Sequence, residues 1–424
     1  MHSTLKKKRH DGKNRVLITG LGAITCIGLG KDQVWKGILG EKTGIRRIQR
    51  FDTTPFQAKT GGEITDFNPL DFLDAKRVRR LDRYAQMALV CAQMAMEDSG
   101  LPAKAGSRHS RWGASMGTAL GGISEAEEQH AIFLQKGIQS INRMLALLVF
   151  GGSSSSNISI EFGLTGPCTT ASNSCASGNI AIGEAYRFIR DGYADVMLTG
   201  AAEAPLSPLT FGAFDVIQTM SETEDPAFSC APFSAKRNGF VMGEGAGMLV
   251  LESEEHALSR GAHIYGELSG YSLNSDAYHM TASLPDGECA SRCMKDAIHD
   301  AGLKPLDIDY INAHGSSTRI NDKNETIAIK QTFGEHAQKV SISGTKSYYG
   351  HALGATAAIE AVICALSLER QYIPPTIHLH EADPECDLNY TPLHGKPGKL
   401  QHLISNAFGF GGINSTIVLS RYEA

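Results

Sequence analysis

The sequence predicts an α/β protein built from stacked layers. Short apolar runs of strand length recur along the chain, and longer apolar or amphipathic stretches of helix length alternate with them. Several of the short runs are apolar at nearly every position, which is the pattern of strands covered on both faces. Over 424 residues, 42% are apolar and 20% charged, enough for a large core and incompatible with disorder, collagen or coiled coil.

The first element is the strand Arg15 to Gly22, which ends in glycines. Gly20-Leu21-Gly22 has the start of a dinucleotide fingerprint, but Thr25 stands where the third glycine belongs, and the reading is set aside. Tyr84 to Gly100 is a helix with small and apolar residues over most of its surface and Gly100 as its stop, so burial inside a layered sandwich is expected. The next informative stretch, Gly166 to Gly192, is polar up to Cys175 and then apolar at helical spacing through Ile182, Tyr186 and Ile189. Asp195–Gly200, Gly247–Glu252, Ile308–Asn312 and Lys339–Ser343 read as further core strands, with Leu403–Ser405 and Ser415–Ser420 as a closing pair. Element counts are similar on either side of about residue 253, which predicts a fused duplication with halves at 15–253 and 254–424, although no residue-level repeat is visible. Residues 1–14, with Lys6, Lys7, Lys8, Arg9 and Lys13, read as a basic, solvated N-terminal tail.

Composition narrows the function classes. A formal charge of −5 gives no global attraction to nucleic acid or to an anionic membrane. The longest apolar run, Met144–Phe150, is far shorter than the ~20 residues of a membrane span. Nine scattered cysteines argue for free thiols and a cytoplasmic protein. Cys289, Cys293 and His279 match no zinc-ligand spacing, so no metal is expected.

Cys175 stands at a predicted helix N-terminus, where unpaired backbone N–H groups favour thiolate. A cysteine alone is usually an inert core residue, but His314 and His351 each lie in a glycine-containing turn after a strand, where catalytic groups are commonly carried. Together they form a nucleophile and two hydrogen-bond donors.

Four ordered motifs carry a resemblance. Ser174-Cys175-Ala176-Ser177-Gly178, Asn312-Ala313-His314-Gly315-Ser316-Ser317-Thr318, Lys346-Ser347-Tyr348-Tyr349-Gly350-His351 and the late run Asn406 to Asn414 resemble those of the β-ketoacyl-acyl carrier protein synthases, thiolase-like condensing enzymes, in particular the type II elongating ones. The similarity extends from about Arg15 to Tyr422. It implies a duplicated thiolase fold, a five-layered αβαβα sandwich, acting as a homodimer without a metal or bound cofactor. The implied reaction is decarboxylative Claisen condensation of an acyl chain on Cys175 with malonyl-acyl carrier protein, in fatty-acid elongation.

By the same resemblance, Cys175 is the acyl-accepting nucleophile, His314 and His351 act on the malonyl thioester, and Lys346 and Glu360 form an orienting ion pair. Phe410 is the gate whose backbone N–H joins that of Cys175 in an oxyanion hole. Tyr278, His279, Thr281, Ser316 and Thr318 are expected to contact the phosphopantetheine arm, and Leu120, Phe240 and Phe410 to line the acyl pocket. Lys76, Arg79 and Arg80, in a basic cluster with Arg77 and Arg83, suit docking of an acidic carrier protein. Ser316 and Asn238 depart from the usual Thr and Asp, and Met144–Ser156 lacks the proline-bearing pattern of the family. That last departure keeps open a specialised type II polyketide or polyene synthase and a non-identical partner subunit. A non-catalytic chain-length subunit is disfavoured because Cys175 is present.

Overall fold

The computed structural model describes residues 9–102 and 106–423. In the first half, β1 (Val16–Thr25), β2 (Trp112–Gly117), β3 (Cys168–Ala171), β4 (Val196–Glu203) and β5 (Gly245–Ser253) lie side by side in the order β3-β2-β4-β5-β1. In the second, β6 (Gly266–Ser275), β7 (Tyr310–Asn312), β8 (Ser341–Ser343), β9 (His402–Gly409) and β10 (Ile413–Ser420) lie in the order β8-β7-β9-β10-β6. Strand directions repeat as well. β2 runs parallel to β3 and β4, as β7 does to β8 and β9; β5 and β10 are antiparallel to both of their neighbours. The duplication expected from element counts is therefore present in topology, where it leaves no residue-level trace.

The half-sheets join along β1 and β6 at Leu17–Glu267 and Ile18–Gly266. They enclose α3 (Ser177–Arg190) and α6 (Thr356–Arg370), while α1 (Arg83–Ser99) and α2 (Ser153–Phe162) cover one outer face and α4 (Glu288–Asp300) and α5 (Arg319–Phe333) the other. Alternation along the strands assigns the layers: Leu249 and Leu251 of β5 face the central helices and Met248 and Val250 face α1, while Ile417 and Leu419 of β10 face inward and Val418 outward. The result is the five-layered αβαβα sandwich implied by the resemblance.

Local sequence explains the packing. Every residue of α6 from Thr356 to Leu368 is buried, as its nearly continuous apolar sequence requires of a helix between two sheets. Helix α1 is capped by Asp82 and stops at Gly100 in the left-handed conformation (φ 68). It lies in an outer layer rather than the central one, and its far side is covered by Ile64, Phe67, Leu73 and Leu81. Gly20 and Gly22 serve this contact: a Cβ on either would come 2.3 Å from the carbonyl oxygen of Ala95 or Cys91 of α1.

Three strands and a helix escape the sequence patterns. β2 is rich in small residues, β3 is a short polar edge, β6 carries polar residues at its exposed end, and α6 is too uniformly apolar to show periodicity. The four serines 153–156 open α2; the first three are buried and Ser155 Oγ lies 2.8 Å from Thr170 Oγ1. Among the described residues, no helix is long and apolar enough to cross a membrane.

The solvated-tail expectation needs correction at Arg9, while residues 10–13 are exposed as expected; residues 1–8 lie outside the described ones. Arg9 is buried, donates to the carbonyl of Ser269 and pairs with Asp300, and its guanidinium lies 5.5 Å from the Tyr186 ring centroid. Lys13 pairs with Asp191 at 2.9 Å. Burying one arginine against a carboxylate and a carbonyl satisfies donors that a sequence scan counts only as surface charge.

Candidate active site

The N-terminal ends of the two central helices open on one cavity of about 500 Å³. On one side, Ser174–Ala176 forms a single turn that runs directly into α3 and carries Cys175. Ser174 has φ 53, a costly conformation for a non-glycine residue, and Ser177 Oγ ties the turn together by donating to the Ser174 carbonyl at 2.7 Å while accepting from Asn173 N at 2.8 Å. On the other side His351 lies just ahead of α6, and His314 follows the end of β7. Cys175, His314 and His351 all line the cavity.

Electrostatics separate their roles. The two imidazoles are buried, with ring centroids 5.4 Å apart, and desolvation reinforced by the Lys346 charge holds both well below the ordinary histidine range; each is a neutral imidazole at pH 7. His351 Nδ1 lies 2.8 Å from Thr356 Oγ1, whereas its buried Nε2 has no hydrogen-bond partner among the described residues. Burial also holds the Cys175 thiol above its usual value, opposed by the Ser174 hydroxyl, the Lys346 charge and the Phe410 backbone N–H. Burial thus works against the thiolate that the helix N-terminus favours. Cys175 is half-buried, facing the cavity rather than bulk water.

Behind the cavity, Lys346 and Glu360 form a fully buried ion pair at 2.8 Å, and Lys346 Nζ also donates to the His314 carbonyl. Glu325 accepts from the His314 and Gly315 N–H groups, each at 2.8 Å. Lys346 and Glu325 touch the His314 backbone, Glu360 reaches it only through Lys346, and none of the three lines the cavity. Burial pushes Glu325 and Glu360 up to about 7.

Of the other expected residues, Leu120, Phe240, Thr281, Ser316, Thr318 and Phe410 also line the cavity. Ser316 and Thr318 bond to each other at 2.9 Å, and Thr318 caps α5. The structure does not bring Tyr278 and His279 to the wall: both are exposed, and His279 Nδ1 is engaged locally by the Thr281 N–H at 3.2 Å. Adjacency in sequence placed them with Thr281, but the loop turns their side chains outward. Lys76, Arg79 and Arg80 lie in a separate surface cleft, exposed and without an ion pair among the described residues. Arg83 lines the same cleft but is paired with Glu244, and Arg77 is paired with Glu161.

Phe214 is a wall residue absent from the sequence reading. Its ring stacks on Phe410 at 6.4 Å and meets Phe240 edge-on at 5.8 Å, so three aromatic rings border the apolar part of the cavity. Phe214 falls in a helix whose apolar positions show no clear face, and nothing in its pattern separates it from a core residue. Gly409 packs against the nucleophile turn, where a Cβ would lie 3.3 Å from Cys175 N, and this brings the Phe410 backbone to the thiol.

Comparison with known proteins agrees with this geometry. Residues 13–257 match the β-ketoacyl synthase N-terminal domain and residues 265–380 the C-terminal domain. Proteins named 3-oxoacyl-[acyl-carrier-protein] synthase 2 from Synechocystis sp. and Staphylococcus aureus are 42% and 41% identical over 412 and 410 residues, in each case 97% of this chain and 99% of the relative. Among solved structures, the AntDE:AntF complex of a type II PKS acyl-carrier protein with its ketosynthase matches with TM-score 0.89 and 37% identity, over 97% of this chain and 100% of that one. The ishigamide ketosynthase/chain length factor matches with TM-score 0.91 and 34% identity over the same shares. With both domains of the family matched in order along the chain and a cysteine and two neutral histidines on one cavity, this chain belongs to the β-ketoacyl synthase family of condensing acyltransferases.

Proposed function

We propose that this synthase elongates acyl chains on an acyl carrier protein, with Cys175, His314 and His351 as its catalytic residues. The observation that carries the reading is a half-buried thiol sharing an apolar cavity with two imidazoles that are neutral at physiological pH. In the first step Cys175 Sγ attacks the acyl thioester. The oxyanion rests on the N–H groups of Cys175 and Phe410, the carrier's C–S bond breaks, and the thiol proton ends on the departing pantetheine sulfur. Such a backbone donor is worth ~3 kcal/mol in the transition state. In the second step the malonyl thioester loses CO2, and the electron pair of the broken C–C bond forms an enolate whose oxygen accepts hydrogen bonds from both histidines. Thr356 Oγ1–H donating to His351 Nδ1 leaves Nε2–H free for this bond. The enolate carbon then attacks the acyl-cysteine, releasing 3-oxoacyl carrier protein and the Cys175 sulfur, which regains a proton. Neutral donors suit this sequence, because a charged imidazolium would protonate the carbanion before it attacks.

Lys346 and Glu360 act as an orienting pair, and Thr281, Ser316 and Thr318 hold the pantetheine arm. Leu120, Phe214, Phe240 and Phe410 receive the acyl chain. The reaction needs no metal or resident cofactor, since both substrates arrive on the carrier's phosphopantetheine, and it fits the reducing cytoplasm suggested by nine free cysteines. The test is intact mass spectrometry after incubation with acyl-carrier thioesters of graded length, followed by malonyl-carrier protein. Loading of Cys175 by saturated medium or long chains and release of a product two carbons longer supports fatty-acid elongation. Loading by unsaturated polyketide-like chains alone favours the specialised pathway, toward which the 37% identical type II PKS ketosynthase points.

The exposed, unpaired Lys76, Arg79 and Arg80 are the proposed carrier-docking surface. Charge reversal at Arg79 and Arg80 is expected to raise the carrier KM several-fold at low salt, with the difference shrinking as ionic strength rises. An unchanged KM removes this surface from the reading.

A homodimer is proposed on the free edge of β3. Among the described residues that strand pairs only with β2, and the exposed apolar side chains Leu134, Ile138, Leu147, Phe150 and Ile160 belong to the segment leading to it. Antiparallel pairing of β3 with itself in a second copy satisfies the open edge and covers apolar surface in one two-fold contact. Sedimentation of the pure chain at the dimer mass, with Leu134→Asp and Ile160→Asp shifting it to monomer, is the expected result. A monomeric wild type points instead to a non-identical partner.

A further inference from the structure

One buried carboxylate behind the cavity wall makes no hydrogen bond to the thiol or to either histidine side chain among the described residues. Glu203, the last residue of β4, is fully buried, and all four of its hydrogen-bonding neighbours direct donors at it. Its Oε1 accepts from Thr118 Oγ1 at 3.0 Å and Leu120 N at 3.1 Å; its Oε2 accepts from Ala119 N at 2.5 Å and Gly354 N at 3.1 Å. No cation pairs with it among the described residues.

The four donors come from two halves of the chain. Residues 118–120 form the turn after β2 that supplies Ala119 and Leu120 to the cavity wall, and this turn is tied to the nucleophile because Ser177 Oγ donates to the Thr118 carbonyl at 3.2 Å. Gly354 belongs to the turn between His351 and α6, whose neighbour Leu353 lines the cavity with φ 41. The approach is close enough to require glycine: a Cβ on Gly354 would lie 2.5 Å from Ala119 N and 2.7 Å from Glu203 Oε2.

We infer that Glu203 is a positioning residue that holds the acyl-pocket turn 118–120 and the His351 turn in one register. It acts through backbone N–H groups and touches no substrate. The acceptor chemistry of a carboxylate is needed as well as the shape: burial pushes Glu203 up to about 7, and the four donors oppose that shift. Three donors are backbone N–H groups, which only donate, and Thr118 Oγ1 already accepts from Gly121 N at 3.0 Å. A glutamine in this place must turn its NH2 toward at least one backbone N–H in either orientation.

This inference rests on the condensing reading, and the experiment separates the two. Glu203→Gln is assayed well below its melting temperature for acyl loading across chain lengths and for malonyl decarboxylation. Loading of long chains is expected to fall roughly tenfold relative to short ones, and the decarboxylation kcat to fall roughly tenfold, since sub-ångström displacement of positioned groups carries penalties of this size. Alkylation of Cys175 by iodoacetamide is expected to change less than twofold, as the turn itself stays formed. Thr118→Val, which removes a single donor and keeps volume, is expected to shift the length profile in the same direction and serves if Glu203→Gln does not fold. Variants that lose only thermal stability, with length profile and kcat unchanged, overturn the positioning role. A wild type that neither loads nor condenses in the same assay overturns the condensing reading instead.

Discussion

Cys175→Gln is expected to abolish acylation and condensation while leaving malonyl decarboxylation running. The two half-reactions use different groups on one cavity: the thiol stores the acyl chain, while the enolate oxygen is held by His314 and His351. Removing the nucleophile leaves both imidazoles neutral and in place, because burial and Lys346 set their state and Cys175 is not among the causes. A glutamine side chain also fills part of the space of an acyl-cysteine and offers a polar group near the Cys175 and Phe410 N–H donors. The measurement is twofold: release of CO2 from malonyl-carrier protein and the mass of the protein after exposure to acyl-carrier thioesters. Loss of acyl loading below detection, with CO2 release retained or raised, is the expected pair. Cys175→Ala is expected to lose loading as well, without change in fold. Loading retained in either variant places the acyl chain elsewhere, and CO2 release lost in Cys175→Gln removes the enolate role of the histidines.

The chemistry was more legible in the sequence than its support. Cys175, His314 and His351 could be singled out because each lies at a local signal, a helix start or a glycine turn after a strand, and within a motif that resembles the family's, both of which are readable without tertiary contacts. Glu203 and Glu325 carry no such signal. One ends a strand and the other sits within a helix, and only the folded chain brings backbone N–H groups to them. Phe214 is invisible for a related reason, since an aromatic ring on a weakly patterned helix reads as core until the cavity beside it is known. Tyr278 and His279 show the opposite limit: His279 touches Thr281, yet of these three loop residues only Thr281 lines the cavity, because proximity along a loop does not decide which side chains face inward. The duplication was readable as a count of elements but not as a repeat, because it survives in strand order and direction while the residues have diverged.

His351→Ala in the Cys175→Gln background is expected to reduce decarboxylation by about 10²–10³-fold, the usual consequence of deleting one donor to a developing oxyanion. His351 lines the cavity, and its Nε2 has no hydrogen-bond partner among the described residues. With Cys175 intact, His351→Ala is expected to load acyl chains and fail to condense them, which a general loss of folding does not produce. The pH dependence follows from the same burial. Both imidazoles titrate well below the ordinary value of 6.5, so decarboxylation in Cys175→Gln is expected to stay flat from pH 8 to below 6.5. An inflection at 6.5 shows instead a group titrating as if exposed. Stability carries a matching sign. Below pH 6.5 the unfolded chain takes up protons at these histidines while the folded chain does not, so their contribution is intact above 6.5 and is lost progressively toward their folded values. Acidification below 6.5 therefore costs the fold at each buried histidine. His351→Ala is therefore expected to lose less stability than wild type between pH 7.5 and 5.5, read from urea midpoints at constant slope, even though it has lost its activity. Equal losses in the two proteins place the acid sensitivity on other groups and leave the neutral state of His351 without support.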